Sequence, residues 1–186
     1  MDDKRRVKVS KYLSKHLRHE PHRLGLALQE GGWVDIDALL RACAAHHFPV
    51  SRAELEEVVT TSDKQRFALD TATNRIRANQ GHSVAVDLQL AAAEPPPILY
   101  HGTGRGSAES IRRDGLLKMT RHHVHLSSDF ATAVKVGARH GRPVVFAVDA
   151  AGLRRAGVEF YRSENGVWLV EHVPAHFLRE IEEQPS

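Results

Sequence analysis

Val9, Leu13 and Leu17 recur every four residues around the segment "SKYLSKHLRH", a spacing that stacks apolar side chains on one face of a helix. Proline disfavours helical backbone in the residue before it, so Pro21 predicts an end at or before Glu20 and puts Arg18 and His19 in the last turn. After "EGGW" the short run "WVDI" predicts a strand, and "DALLRACAAHH" predicts a second helix. "SRAE", Ser51 to Glu54, has the form of a capping box and opens a third helix, "AELEEVVTTS". "RFAL" and "RIRAN", parted by the turn-rich "DTATN", predict a β-hairpin. Helices followed by a hairpin wing predict a winged-helix-like lobe, an arrangement used both on nucleic acids and in protein contacts.

The stretch "VAVDLQLAAAEPPPILY" (84–100) loses charge, gains alanine and then runs three prolines, so it reads as a semi-extended connection with a lobe boundary near Ala93. The expected division is 1–93 and 94–186. Beyond it the predicted order is strand "PILYHGT", helix "AESIRRDG" ending at Gly115, strand "VHLSS", helix "FATAVKVGARHG" ending at Gly141, and strand "PVVFAVDA". A hairpin, "VEFYRSENGVWLVE", follows, with Asn165-Gly166 expected to supply positive φ for a tight turn. The whole reads as α+β in two lobes, the second a mixed α/β lobe with too few strand-helix-strand units for a doubly wound sheet.

Composition narrows the setting. At 186 residues and 41% hydrophobic, the chain can build a core for one domain or two small lobes. The single cysteine, Cys43, excludes an internal disulfide and a multi-cysteine zinc site. "MDDKRRVKVS" has no apolar signal region and no span approaches membrane length, which predicts a soluble protein of a reducing, cytoplasmic compartment with no membrane partner. The formal net charge of +3 sits in the first half, where residues 1–83 carry 14 Lys/Arg against 11 Asp/Glu, while residues 84–186 carry 12 against 12. The excess is densest in Lys4, Arg5, Arg6, Lys8, Lys11, Lys15, Arg18 and Arg23, a field that attracts a polyanion.

Three clusters carry candidate chemistry, each weighed against an ordinary structural role. "HGTGRGS" (101–107) fails as a dinucleotide or phosphate loop, because its spacing is G-x-G-x-G and no lysine follows. What remains is a glycine-rich turn bearing His101 and Thr103, either a surface turn or a close approach to a ligand. "RHHVHLS" (121–127) lacks the converging ligands that zinc needs, and Arg121 shares the face of His123 and His125, so no metal is expected there. "DKQRFAL" (63–69) and "RIRANQGHS" (75–83) read as a positive wing with a polar turn. A hairpin folded against the first helix would instead bring Arg66 to Arg18 and His19, a fork of donors suited to a phosphate dianion.

Taken together and in this order, "LSKHLRH", "DKQRF", "IRANQGHS", "LYHGT", "GLLKMTRHHVHLS" and "FYRSENGVWL" resemble the RNA 2′-phosphotransferase family over nearly the whole chain, from about Ser10 to Val170. The resemblance implies an N-terminal winged-helix lobe that holds RNA and a C-terminal lobe of the ADP-ribosyltransferase type that holds NAD as co-substrate, without a metal. Family members rely on an Arg-His-Arg-Arg set, matched by Arg18, His19, Arg66 and Arg121. The signature of the NAD lobe falls on His101, His125 and Val167, and Gly102, Thr103, Ser127 and Asn165 are implied to line the rest of that site. Val167 stands where many protein-modifying transferases carry a catalytic glutamate.

The implied activity moves an internal RNA 2′-phosphate to NAD in two steps, through an ADP-ribosylated RNA 2′-phosphate. It yields RNA with a 2′-hydroxyl, ADP-ribose 1″,2″-cyclic phosphate and nicotinamide. The implied partner is a tRNA-like RNA, with no obligate protein partner evident. Two rival readings stay open at this point: a transferase that leaves ADP-ribose on phosphorylated nucleic-acid ends, and a non-catalytic winged-helix module that binds RNA.

Overall fold

The computed structural model describes residues 1–62 and 64–181. Asp63, which opens the "DKQRF" stretch, and residues 182–186 at the end of the second expected lobe lie outside the described residues. The chain packs as two compact units, Met1–Gln89 and Leu90–Ser186, and the structure is a mixture of helices and small antiparallel sheets.

In the first unit, α1 runs Asp3–Arg18, beginning well before the predicted segment. Its start is set by Asp2, whose carboxylate accepts from the Arg5 N–H at 2.7 Å, and lysines and arginines with good helix propensity fill the first turns without any apolar period to announce them. The predicted stop holds: α1 ends at Arg18, His19 caps it, and Pro21 opens a 3-10 turn, Pro21–Leu24, closed by Gly25 at φ +64°. Val9, Leu13 and Leu17 have no exposed surface. They pack with Leu39, Leu55 and Ile76 in one core that also encloses Cys43, whose thiol burial pushes up to about 11.

The strand β1 (Val34–Asp35) leads into α2 (Ile36–Ala45), capped by the Asp35 carboxylate accepting from the Ala38 N–H at 2.8 Å. The predicted capping box opens α3 (Arg52–Thr60), with Ser51 Oγ accepting from the Glu54 N–H at 3.2 Å and Glu54 Oε2 accepting from the Ser51 N–H at 2.9 Å. The hairpin pairs β2 (Phe67–Asp70) with β3 (Arg75–Ala78), and β1 adds to the far side of β3 through Val34 opposite Ile76, giving the order β1-β3-β2.

The basic run of the first helix divides on folding. Arg5 is no free polyanion contact: Nε donates to Glu54 Oε1 at 2.8 Å, Nη2 donates to the Pro49 carbonyl at 2.6 Å, and the guanidinium lies 5.0 Å from the Phe48 ring centre. It joins the start of α1 to the start of α3.

The second unit holds a sheet of order β11-β7-β4, built from β4 (Ile98–Gly104), β7 (Pro143–Asp149) and β11 (Leu178–Ile181). A second sheet has the order β6-β9-β8, from β6 (Val124–Leu126), β8 (Tyr161–Arg162) and β9 (Trp168–Val170), and β5 (Leu116–Leu117) pairs with β10 (His172–Val173). Every pairing is antiparallel. Tyr100 and Ser127 exchange both backbone hydrogen bonds, which ties β4 to the end of β6.

Helices α4 (Ala108–Asp114), α5 (Phe130–Gly137) and α6 (Ala150–Arg155) complete the unit. Gly115 and Gly141 take φ of +80° and +112° after the predicted helices, although a 3-10 turn, Ala138–His140, separates α5 from Gly141. The predicted 158–171 hairpin forms with shorter strands. Of the expected Asn165-Gly166 pair only Gly166 has positive φ, because the loop is a turn closed by the Gly166 N–H donating to the Ser163 carbonyl at 2.9 Å.

Helix α5 lies unusually close to β4. A Cβ on Gly102 would come within 1.7 Å of the Ala133 carbonyl oxygen, and one on Gly137 within 2.7 Å of the Thr103 carbonyl oxygen. Backbone contact at that range admits only glycine, so "HGTG" is first a packing motif.

The Arg5 ion pair holds the Glu54 carboxyl at about 2, against an ordinary 4.5. A lowered folded value stabilises the native state above the ordinary value and loses that contribution as pH falls toward the folded one. Urea titrations of Glu54→Gln and the parent chain should therefore differ at pH 7 and converge between pH 4.5 and pH 2; a difference that persists unchanged across that window contradicts the pairing.

Candidate functional site

The end of α1 is held by the segment that follows β3. The Ser83 N–H donates to the Arg18 carbonyl at 2.9 Å, and His19 Nδ1 lies 2.9 Å from Ser83 Oγ. The Asn79 N–H donates to the Arg66 carbonyl at 3.0 Å and Asn79 Nδ2 donates to the Gln65 carbonyl at 2.7 Å. Arg18 Nη2 approaches the Arg66 carbonyl at 3.4 Å, a long hydrogen bond. Asn79 and His82 are buried within this segment, while Ser83 is exposed.

Through these bonds Arg18, His19 and Arg66 come to line one cavity of 570 Å³. Of the two readings of the wing, the convergent one describes the fold. Arg18 and Arg66 are half-buried and His19 is exposed, so the guanidinium groups sit in partly desolvated surroundings while the imidazole reaches solvent. Among the described residues no carboxylate lines the cavity. Asn79 and Ser83, which organise it, were visible in the sequence only as a dense polar run after a strand.

In the second unit His101 and Thr103 alternate along β4 and face a cavity of 430 Å³ with Arg121, His123 and His125. His101 Nδ1 lies 3.0 Å from the His125 carbonyl, which can only accept, so Nδ1 carries the proton and Nε2 presents a lone pair. Burial, and behind it the Arg121 guanidinium, holds the His101 imidazole below its ordinary value and keeps the ring neutral. Arg121 Nη1 donates to His125 Nδ1 at 3.3 Å, which places these two side chains together as the shared face predicted. His123 tilts against the Tyr161 ring, with centres 5.7 Å apart.

The remaining predicted residues are placed differently. Gly102 is buried between β7 and α5, and Ser127 is engaged in its backbone pair with Tyr100. Asn165 and Val167 belong to the turn between β8 and β9, where Ser163 Oγ donates to Asn165 Oδ1 at 2.7 Å and the Ser163 N–H donates to the Val167 carbonyl at 2.9 Å. None of these four lines the 430 Å³ cavity, whereas Lys118, Met119 and Thr120, in the turn before Arg121, do. Met119 stands 79% exposed with φ +54°. Among the described residues no group of three His, Cys, Asp or Glu is arranged to hold a metal, and no helix is long and apolar enough to cross a membrane.

Arg18, His19 and Arg66 thus share one cavity in the first unit, and His101, Thr103, Arg121, His123 and His125 share another in the second. The model of the family described as "RNA 2'-phosphotransferase, Tpt1 / KptA family" matches residues 4–172. The chain is 62% identical over 178 residues to a Trichormus variabilis protein named "Probable RNA 2'-phosphotransferase", covering 96% of this chain and 98% of that one. It is 61% identical over 179 residues to a Streptomyces coelicolor protein of the same printed name, covering 96% and 97%. A Hahella chejuensis protein so named is 47% identical over 184 residues, covering 99% of each. The chain belongs to the RNA 2′-phosphotransferase family, a family of transferases.

A neutral His101 makes a spectroscopic prediction. Its NMR titration midpoint should fall below the ordinary 6.5, and a midpoint above 6.5 contradicts the burial and the hydrogen bond assigned to it.

Proposed function

We propose that the chain transfers an internal 2′-phosphate of a tRNA-like RNA to NAD, as a cytoplasmic enzyme with no obligate protein partner and no metal. The observation that carries this reading is the meeting of Arg18, His19 and Arg66 at one cavity whose described lining has no carboxylate. The first unit serves as a winged-helix RNA lobe and the second as an NAD lobe of the ADP-ribosyltransferase type. Arg18 and Arg66 grip the 2′-phosphate, and Arg121 is the fourth member of the set assigned to phosphate chemistry.

In the first step a phosphate oxygen of the RNA attacks the nicotinamide-bearing ribose carbon as the bond to nicotinamide breaks. A dianionic nucleophile needs no general base, which suits Val167 at the position where other transferases use glutamate. In the second step the neighbouring ribose 2″-hydroxyl attacks phosphorus and the RNA 2′-oxygen departs, taking a proton. His19, at the C-terminal end of α1, supplies that proton and regains one from the attacking 2″-hydroxyl, so the step balances. Charge grows on the phosphoryl oxygens in this step, and the three arginines balance it. The products are RNA with a 2′-hydroxyl, ADP-ribose 1″,2″-cyclic phosphate and nicotinamide.

The NAD cavity supports its part on donor chemistry. The lone pair of His101 Nε2 accepts from a ribose hydroxyl, and the Thr103 hydroxyl both donates and accepts. We assign His101 to the adenylate-side ribose, Gly102 and Thr103 to the nicotinamide half, and His125, Ser127, Asn165 and Val167 to the rest of that site.

Arg18→Ala and Arg66→Ala should each lower the rate of 2′-phosphate release by about a hundredfold or more, while circular dichroism shows an unchanged fold. Turnover like that of the parent chain in either variant overturns the assignment.

A further inference from the structure

Five large apolar side chains are exposed among the described residues, and two of them, Leu117 and Met119, line the 430 Å³ cavity of the second unit. Leu117 is 51% exposed and Met119 79%. Scattered exposed apolar residues are ordinary, but two beside one cavity form a surface that a ligand can cover.

Backbone conformation sets Met119 further apart. The Arg121 N–H donates to the Lys118 carbonyl at 3.0 Å, closing a turn over residues 118–121 in which Met119 is the second residue. Its φ is +54°, a conformation that glycine and asparagine adopt at the least cost, so a methionine there needs a reason outside the backbone. The turn is held at both ends: Lys118 Nζ donates to Glu171 Oε1 at 2.9 Å, and Arg121 Nη1 donates to His125 Nδ1 at 3.3 Å. A costly backbone, a fixed turn and an exposed thioether in the same lining as His101 and Thr103 mark a side chain kept for contact with a ligand. A thioether is soft and polarisable and packs well against an aromatic ring.

Exposure also makes this sulfur reactive. The chain has two methionines, Met1 and Met119, and one cysteine, Cys43, which has no exposed surface. Met1 is 37% exposed and belongs to the first unit, so Met119 is the most exposed sulfur-bearing residue among those described. A peroxide transfers one oxygen atom to a thioether: the O–O bond breaks, sulfur is oxidised by two electrons, and the second oxygen leaves as water. The sulfoxide is polar and no longer offers an apolar surface.

We propose that Met119 is a site of reversible oxidation by peroxides and that this oxidation lowers ligand affinity at the cavity. As a thioether it packs against the adenine base of the co-substrate; as a sulfoxide it does not, and the ligand is held less tightly. The inference rests on the reading of this cavity as the NAD site.

The test titrates the full chain with ADP-ribose by calorimetry before and after treatment with hydrogen peroxide, while peptide mass spectrometry follows the oxygen added at Met119. The oxidised parent chain should bind ADP-ribose about threefold to tenfold more weakly, the size of one sulfur–aromatic contact. Methionine sulfoxide reductase with a thiol reductant should restore the affinity. Met119→Gln, polar and of similar length, should bind weakly without peroxide, whereas the affinity of Met119→Leu should change less than about twofold on treatment. Parent-like affinity with Met119 fully oxidised, a peroxide-induced loss in Met119→Leu, or a sulfoxide that forms at Met1 and not at Met119 overturns the inference. An untreated chain that binds no ADP-ribose removes the NAD reading of this cavity and the inference with it; binding that ignores the oxidation removes the inference alone.

Discussion

Main-chain hydrogen bonding sets where Arg18 and Arg66 stand at the cavity they share with His19. The Arg18 carbonyl receives the Ser83 N–H, the Arg66 carbonyl receives the Asn79 N–H, and the Gln65 carbonyl receives Asn79 Nδ2. The rest of the first unit serves this end: Pro21 stops α1 where Arg18 and His19 are exposed to the cavity, and the sheet brings the chain back from β3 at the level of the α1 terminus.

In the second unit a cavity is floored by β4, whose alternating His101 and Thr103 face it while Gly102 and Gly104 face α5 and the turn after it at backbone distance. The glycines let the helix close over the strand, and the His125 carbonyl then fixes the tautomer of His101. The His101 imidazole, held below its ordinary value first by burial, then presents the Nε2 lone pair.

Much of this was legible in the residues. The four-residue period of Val9, Leu13 and Leu17, the stop at Pro21, the Ser51 capping box and the "RFAL"/"RIRAN" hairpin all express local rules, and the fold obeys them. What escaped was set by distant partners. The early start of α1 depends on the Asp2 cap and on charged residues with no apolar period. The strands β5 and β10 are two residues long and exist only through their pairing with each other. The strand is read through Ala150 with no element over 151–157, yet Asp149 caps α6 by accepting from the Gly152 N–H at 2.7 Å. Arg5 belonged to a basic run on paper and to Glu54 and Phe48 in the fold. The wing's meeting with Arg18 and His19 was one of two readings, because no spacing encodes which face a hairpin presents.

The account turns on coupling between an RNA phosphate and NAD, and product analysis addresses that coupling most directly. The full chain would be incubated with NAD and an RNA carrying one internal 2′-phosphate, and nicotinamide and phosphate-containing products followed together. The predicted result is nicotinamide release only in the presence of the 2′-phosphate, with one equivalent of ADP-ribose 1″,2″-cyclic phosphate for each 2′-hydroxyl RNA formed. Nicotinamide release that ignores the 2′-phosphate, or a stable ADP-ribosylated RNA with no cyclic phosphate, would contradict it.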